Sequence, residues 1–249
     1  MTINSDINVL GGLADWNLVT VFLEDDRGVN RPAHSFTTIK TVKSIRLYEK
    51  AIKDNLLRCS NTDMELLFRQ LINAKGVDAD MFFVLFWNMA FNNRLFHYLN
   101  EKVFFPAFYS GRIGIKNDEV VACIKELKVS EPCLQSWSES TITTTASKYL
   151  TLLKKFGLME GVATKAIRHP YFSDEMFVIF IYWLVASSSV SNIFRSEWLV
   201  YGFLERQSFL ERLMQKRFAK FFHLFFTGDT LKIETIIDYN LLYGKLYES

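Results

Sequence analysis

The chain has 249 residues, a formal net charge of +2 and 49% hydrophobic residues, and it contains only 4 prolines. This composition excludes a long disordered chain, and the length is sufficient for one large or two small domains with a substantial core. A net charge this close to neutrality indicates no class of partner, so the distribution of charge is more informative.

The first part of the chain predicts two helices separated by an acidic loop. A short helical pattern surrounds Trp16 and Val19, and a loop with glycine and proline follows over residues 24–32. A longer helix is expected over residues 39–57. Its expected buried stripe comprises Val42, Ile45, Tyr48, Ile52 and Leu56.

A row of basic residues lies on a neighbouring face of this second helix. The row comprises Lys43, Arg46, Lys50 and Lys53. Such a row can follow a phosphate backbone. It also fits an ordinary solvated face, since Glu49 and Asp54 are close in sequence.

The middle of the chain predicts two further helices. One covers residues 62–75, with Thr62 as its cap. Asp78 or Asp80 then begins a single, very apolar helix that ends before Pro106 and forms the centre of a helical bundle.

The segment SGRIG, just before residue 115, is the expected domain boundary. It gives an N-terminal helical domain over residues 1–112 and a C-terminal domain over residues 113–249. Beyond it, Asn117 caps one helix, Pro132 begins a short one, and a third helix follows. With a short basic hairpin, these helices are expected to form a winged-helix or helix-turn-helix unit over residues 113–172, followed by a helical extension.

The third helix of this unit is the best candidate for a nucleic-acid contact. Ser136 and Glu139 have the spacing of a capping box, and Gly157 is placed to end the helix. Its apolar face comprises Ile142, Ala146, Tyr149, Leu150, Leu153 and Phe156. The opposite face comprises Ser140, Thr144, Ser147, Thr151 and Lys155, flanked by Lys148 and Lys154.

No acidic residue interrupts that polar face, and Lys165 and Arg168 follow in the predicted hairpin. Short hydroxyl side chains can approach base edges or phosphates, and lysines neutralise phosphate charge. The pattern therefore favours nucleic-acid contact over the alternative, an amphipathic helix with a solvated face, which usually carries both signs of charge.

The last part of the chain starts with an apolar helix capped by Ser173. The uncharged run from Met176 to Phe194 approaches the length of a membrane span, but its serines and its short apolar part favour a buried core helix. A long basic amphipathic helix is expected over residues 197–226. The tail is compatible with a short strand or a final helix.

No residues with the pattern of a catalytic, metal or cofactor site are present. The glycine pairs lack the context of a phosphate-binding loop, and neither a serine elbow nor an HExxH motif occurs. Cys59, Cys123 and Cys133 lack zinc-site spacing and are expected to be reduced thiols. We expect a non-enzymatic, cytoplasmic protein, since the N-terminus also lacks the basic region of a signal peptide.

Several segments resemble the BrxA family of bacterial phage-exclusion (BREX) systems. They are LGGL at residues 10–13, NLLRCSNT at 55–62, the aromatic-rich stretch at 91–105, and WSESTITTTASKYLTLLKKFGLMEG at 137–161. The resemblance implies a helical component of an antiphage system that binds DNA. Family members have also been likened to an RNA-binding antitermination fold and labelled as inner-membrane proteins. The region beyond residue 196 matches the family poorly.

The leading interpretation is a mainly α protein that binds double-stranded DNA with little sequence preference. Its site would combine the third-helix face, the hairpin and the earlier basic row. The alternatives are a scaffold that docks other phage-exclusion proteins, a helical RNA-binding protein and, as the least favoured, a membrane-associated protein.

Overall fold

The computed structural model describes residues 3–14, 19, 41–59, 61–75, 79–161 and 165–247, and it is dominated by helices. Within these residues, the first half of the chain forms six α-helices, two of which continue as π-helical turns (Lys53–Leu57 after α2 and Asn100–Phe104 after α5). They are α1 (Asp6–Gly12), α2 (Val42–Ile52), α3 (Thr62–Lys75), α4 (Ala79–Asn92), α5 (Arg94–Leu99) and α6 (Phe105–Tyr109).

The second half adds helices and two antiparallel hairpins. The elements are α7 (Asn117–Ser130), α8 (Glu139–Lys155), β1 (Met159–Glu160), β2 (Ala166–Ile167), α9 (Asp174–Ser187), α10 (Arg206–Leu213), β3 (Phe222–Thr227), β4 (Thr230–Thr235) and α11 (Leu242–Tyr247). Short 3-10 turns lie at Pro132–Leu134, Ile193–Arg195, Leu199–Gly202 and Lys216–Phe218. The mainly α class predicted from the sequence is confirmed.

The chain divides into two units whose segments alternate along the sequence. Unit 1 consists of residues 1–58 and 77–169, and unit 2 consists of residues 59–76 and 170–249. The boundary predicted at residue 112 falls inside unit 1. Helices from both sides of that position share one core, because the Tyr149 hydroxyl donates to Asn100 Oδ1 at 2.9 Å and the Phe86 and Phe156 rings lie 5.7 Å apart.

The prediction of a single long central helix that ends before Pro106 is wrong, because the helix is interrupted at Asn93. The Asn93 side chain accepts a hydrogen bond from the Phe96 amide at 3.0 Å and so begins a new helix. Its amide group donates to Asn4 and to the buried Asn55, at 2.8 and 3.0 Å. Pro106 lies inside the first turn of α6, where its missing N–H has no cost.

Three smaller expectations also need correction. Ser138, not Ser136, caps α8: its hydroxyl accepts from the Thr141 amide at 3.1 Å, whereas Ser136 lies in the turn that follows Pro132–Leu134. Asn117 is the first residue of α7 rather than its cap. In the stripe predicted for α2, Val42 is 65% exposed, whereas Ile52 and Leu56 are buried.

The predictions for the first residues lie partly outside the described ranges. Trp16 and the loop at 24–32 are not among them, and of that predicted helix the structure describes Val19, which is buried. The predicted helix at 39–57 is described from its cap, Thr41, whose side chain accepts from the Ser44 amide at 3.1 Å.

Unit 2 is built around the apolar helix α9. Its residues from Met176 to Leu184 are all buried, and Asn61, just before α3, donates to the Ala186 carbonyl at 2.9 Å. The Tyr182 hydroxyl binds both the carbonyl and the amide of Ile237, at 2.9 and 3.1 Å. Within the described ranges no helix is both long enough and apolar enough to cross a membrane.

The long amphipathic helix predicted over residues 197–226 is wrong. This stretch contains the short helix α10, two 3-10 turns and strand β3. The tail holds both alternatives left open by the sequence, a strand (β4) and a final helix (α11). Gly228 and Asp229 form the turn between β3 and β4, with Gly228 at φ 58°, and the helical spacing of the phenylalanines does not predict this turn.

Candidate nucleic-acid interface

A small sheet fastens the predicted hairpin to the segment that precedes α7. Met159 pairs with Ile167 across β1 and β2, and Gly114 forms an isolated antiparallel bridge with Ala166. The Ile167 amide donates to the Ile113 carbonyl at 2.8 Å. Along the chain, the bridging residue Gly114 is therefore followed by helix α7, helix α8 and the two-stranded β1–β2 hairpin.

The apolar face of α8 is buried as the sequence predicts. Ile142, Ala146, Leu150, Leu153 and Phe156 are all at most 3% exposed. Gly157 ends the helix with φ 76°, in the left-handed region that glycine adopts without strain. Burial of one face fixes the direction in which the other face points.

Helix α1 covers one side of the predicted polar face. Thr145, which lies outside that predicted face, is fully buried and accepts a hydrogen bond from Asn8 Nδ2 at 3.0 Å. A methyl group built on Gly11 would lie 2.8 Å from the Cβ of Lys148, so the two backbones are in close contact. The sequence offered one signal for this contact, the glycine pair in LGGL, since glycine permits close approach of two helices.

Lys155 belongs to this covered side. Its ammonium donates to the carbonyls of Leu10, Gly11 and Leu13 at 3.0, 3.2 and 2.7 Å, and so satisfies the carbonyls at the end of α1. Burial, followed by the nearby charge of Lys148, lowers the pKa of Lys155 to about 8. These contacts give Lys155 an intramolecular role.

The other side of the polar face is open. Thr144, Ser147 and Lys154 are exposed, and Thr151 is half-buried. The Thr151 hydroxyl donates to the Ser147 carbonyl at 2.8 Å and accepts a 3.4 Å hydrogen bond from Lys165 Nζ. Lys154 Nζ donates to the Gly161 carbonyl at 2.8 Å, so lysines tie the hairpin to α8 at two points.

The structure brings four of the predicted lysines close to one another. Burial lowers the pKa of Lys165, and the charges of Lys154 and Lys148 lower it further. Lys148 also acts on Lys155. Lys148, Lys154, Lys155 and Lys165 form the lysine cluster. The nearby carboxylate of Glu160 lies 3.6 Å from Arg168, so Arg168 is shared with an acidic neighbour.

The basic row on α2 belongs to the same unit. Lys43, Arg46 and Lys50 are exposed, and Lys53 forms an ion pair with Glu49 at 3.2 Å. A methyl group built on Gly12 would lie 3.9 Å from both Lys148 Nζ and Tyr48 Oη. Helices α2 and α8 thus approach each other across the end of α1.

A separate cleft of about 620 Å³ lies in unit 1, between the α5–α6 segment and α7. Its lining includes the Arg112–Glu119 ion pair, at 2.7 Å, and Cys123. Burial raises the pKa of the Cys123 thiol, which keeps it protonated and weakly nucleophilic. In the part of the chain that the structure describes, no group of histidine, cysteine and acidic residues could hold a metal ion.

Comparison with known proteins identifies the family. A model of the BrxA family matches residues 43–181, a range that runs from α2 into α9 and includes the lysine cluster. No curated protein and no solved structure matches the chain significantly. Because the match covers more than half of the sequence, the chain belongs to the BrxA family, which associates it with bacterial phage-exclusion (BREX) defence.

Proposed function

We propose that this protein is a non-enzymatic, cytoplasmic DNA-binding component of a BREX system. Residues 113–172 would act as a winged-helix unit, with α8 as the recognition helix and the β1–β2 hairpin as the wing. The order of bridge, α7, α8 and hairpin supports this proposal, as does the exposed hydroxyl-rich side of α8.

The lysine cluster is the observation that carries the proposal. Burial lowers the pKa of Lys165, and the charges of Lys154 and Lys148 lower it further, so several like charges lie close together at this site. Holding like charges together has a free-energy cost that an intramolecular acid would normally offset. A polyanion offsets the same cost on binding, because phosphate oxygens accept hydrogen bonds from ammonium groups and release counterions.

The shape of the site favours duplex DNA. An α-helix fits the major groove, and the exposed Thr144 and Ser147 hydroxyls on α8 are short enough to let the backbone approach. Lys154, Lys165 and Arg168 stand at the hairpin end of that helix, where they can reach phosphates beside the groove. Phosphate contacts carry no sequence information, so we expect weak sequence preference.

A salt titration with matched variants tests the proposal. Binding of a mixed-sequence duplex is measured by fluorescence anisotropy across salt concentrations. If Lys148, Lys154, Lys165 and Arg168 each neutralise one phosphate, the log–log slope is about −3.6. The variant Lys148→Gln/Lys165→Gln should reduce that slope by about 1.8 and weaken binding by about tenfold to a hundredfold at moderate salt.

The control carries the same charge change in unit 2. Lys216→Gln/Lys220→Gln removes two exposed lysines and should leave the slope unchanged. A third variant, Lys43→Gln/Arg46→Gln/Lys50→Gln, measures whether the basic row on α2 extends the footprint. Equal binding by the wild type and the Lys148/Lys165 variant would refute the site.

The same titration separates the alternatives. A scaffold would show no duplex shift even at low salt and would instead retain another phage-exclusion protein in a pull-down. An RNA-binding protein would prefer an RNA hairpin to the duplex of equal length at every salt concentration.

A further inference from the structure

The β3–β4 hairpin of unit 2 has two edges of different character. Its register pairs Phe225 with Lys232 and Thr227 with Thr230, and Gly228 and Asp229 form the turn. The Ile236 amide donates to the Phe221 carbonyl at 2.9 Å, so this pair is directly hydrogen-bonded. Hydrogen-bonded pairs alternate along an antiparallel ladder.

This alternation fixes where each backbone group points. The backbones of His223, Phe225 and Thr227 face β4, whereas those of Leu224 and Phe226 face away from it. The same rule turns the Leu231 amide of β4 outward. That amide indeed donates to the Asn192 side chain at 3.1 Å, which supports the assignment.

Among the described residues, hydrogen-bond partners therefore occupy part of the outer edge of β4 and none of the outer edge of β3. Asn192 holds the β4 edge near the turn, since it also donates to the Asp229 carbonyl at 3.0 Å. Across the described ranges, no group bonds to the outward N–H and C=O of Leu224 or Phe226. An edge with unpaired groups of this kind is a template for another strand.

The side chains of β3 do nothing to block such pairing. The strand FHLFFT contains no proline, glycine or formal charge, whereas natural edge strands are commonly protected by lysine, proline or a bulge. Phe225 and Phe226 are 53% and 42% exposed. β4, in contrast, carries the charged residues Lys232 and Glu234.

We propose that β3 pairs antiparallel with β3 of a second copy of this chain, which joins the two hairpins into one four-stranded sheet. A two-fold axis at Leu224 satisfies the hydrogen-bonding alternation. Leu224 then pairs with its own counterpart, Phe226 with the second copy's Phe222, and His223 with the second copy's Phe225. This register forms about six backbone hydrogen bonds.

The second copy fits this edge because the strand is complementary to itself. Every cross-strand pair in the register is apolar or aromatic, and such pairs stabilise sheets. With no formal charge in β3, the two copies bring no like charges together. The interface is self-complementary, as a two-fold dimer requires.

Sedimentation velocity of the full chain over a range of concentrations tests the dimer. We expect a dimer whose dissociation constant rises at least about tenfold in Phe226→Lys, because a charge then faces an aromatic residue at the joined edge. Phe225→Lys should act in the same direction without replacing a side chain of the packed face. The control Thr230→Lys adds the same charge on β4 and should dimerise like the wild type.

Hydrogen exchange identifies the interface directly. The amides of Leu224 and Phe226 should become protected as concentration rises, whereas the Phe225 amide, bonded within the hairpin, should be protected throughout. A monomer at all concentrations would overturn the proposal. So would a dimer that resists both phenylalanine variants or leaves those two amides exchanging freely.

Discussion

Gly11 and Gly12 are adjacent in α1, yet alanine should have opposite effects at the two positions. A Cβ at Gly11 would lie 2.8 Å from both the Cβ and the carbonyl oxygen of Lys148. Carbon atoms in ordinary contact are about 3.5–4.0 Å apart, so α1 would have to retreat from α8 by about 0.7 Å or more. The obstacle includes backbone, which cannot rotate away.

The cost follows from what that movement strains. Overpacking of this kind costs about 1–3 kcal/mol, and the hydrogen bonds from Lys155 to the end of α1 lengthen as well. The higher helix propensity of alanine relative to glycine offsets up to about 1 kcal/mol of this cost. We therefore expect Gly11→Ala to lower the free energy of unfolding by about 2 kcal/mol, which corresponds to a fall of about 4–8 °C in Tm.

Gly12→Ala is the matched control. A Cβ there meets nothing closer than 3.9 Å, so the helix-propensity gain is unopposed and stability should stay constant or rise by up to about 1 kcal/mol. Differential scanning calorimetry measures Tm, and hydrogen exchange of α8 peptides reports on unit 1 separately. The reasoning fails if Gly11→Ala melts with the wild type, or if both variants lose stability equally.

Three further outcomes are expected. The pKa of Lys155 is about 8 in the folded protein and higher in the unfolded chain, so the unfolded chain holds more protons on this lysine between those values. The wild type should therefore gain stability relative to Lys155→Met as the pH rises from about 8 to 10, which urea unfolding at several pH values measures. Gly157→Ala meets no steric contact but places alanine at φ 76°, and should cost about 1 kcal/mol in thermal unfolding. Asn93→Ala removes a helix cap and the hydrogen-bond partner of the buried Asn55. It should lower the free energy of unfolding in urea by about 2–3 kcal/mol, and a loss below about 0.5 kcal/mol would contradict the capping role.

Local patterns in the sequence were sufficient for much of α8. The apolar residues from Ile142 to Phe156 repeat at helical spacing, and Gly157 ends the helix as expected. The sequence predicts Ser136 as the cap and the structure has Ser138, because serines at alternate positions offer several possible acceptors. The Pro132–Leu134 turn, which continues to a 2.9 Å bond between the Trp137 amide and the Leu134 carbonyl, determines which serine is used.

Long-range contacts explain what the patterns missed. The break at Asn93 depends on Asn4 and Asn55, which are distant in sequence, so the apolar run around it looks continuous. The contacts of α1 with Lys148 and Lys155 divide the predicted polar face in a way that helical periodicity cannot show. In β3, tertiary packing and the Gly228–Asp229 turn outweighed a helical spacing of phenylalanines.

The alternation of the two units along the chain sets an order for folding during synthesis. Helix α3 is made early, but α9, which packs against it in unit 2, begins about a hundred residues later. Until α9 leaves the ribosome, the apolar residues Met64, Leu67 and Phe68 of α3 lack the core that buries them. A nascent chain that has completed unit 1 therefore still exposes the apolar face of α3. A chaperone or an early-bound partner would have most effect between the synthesis of α3 and that of α9.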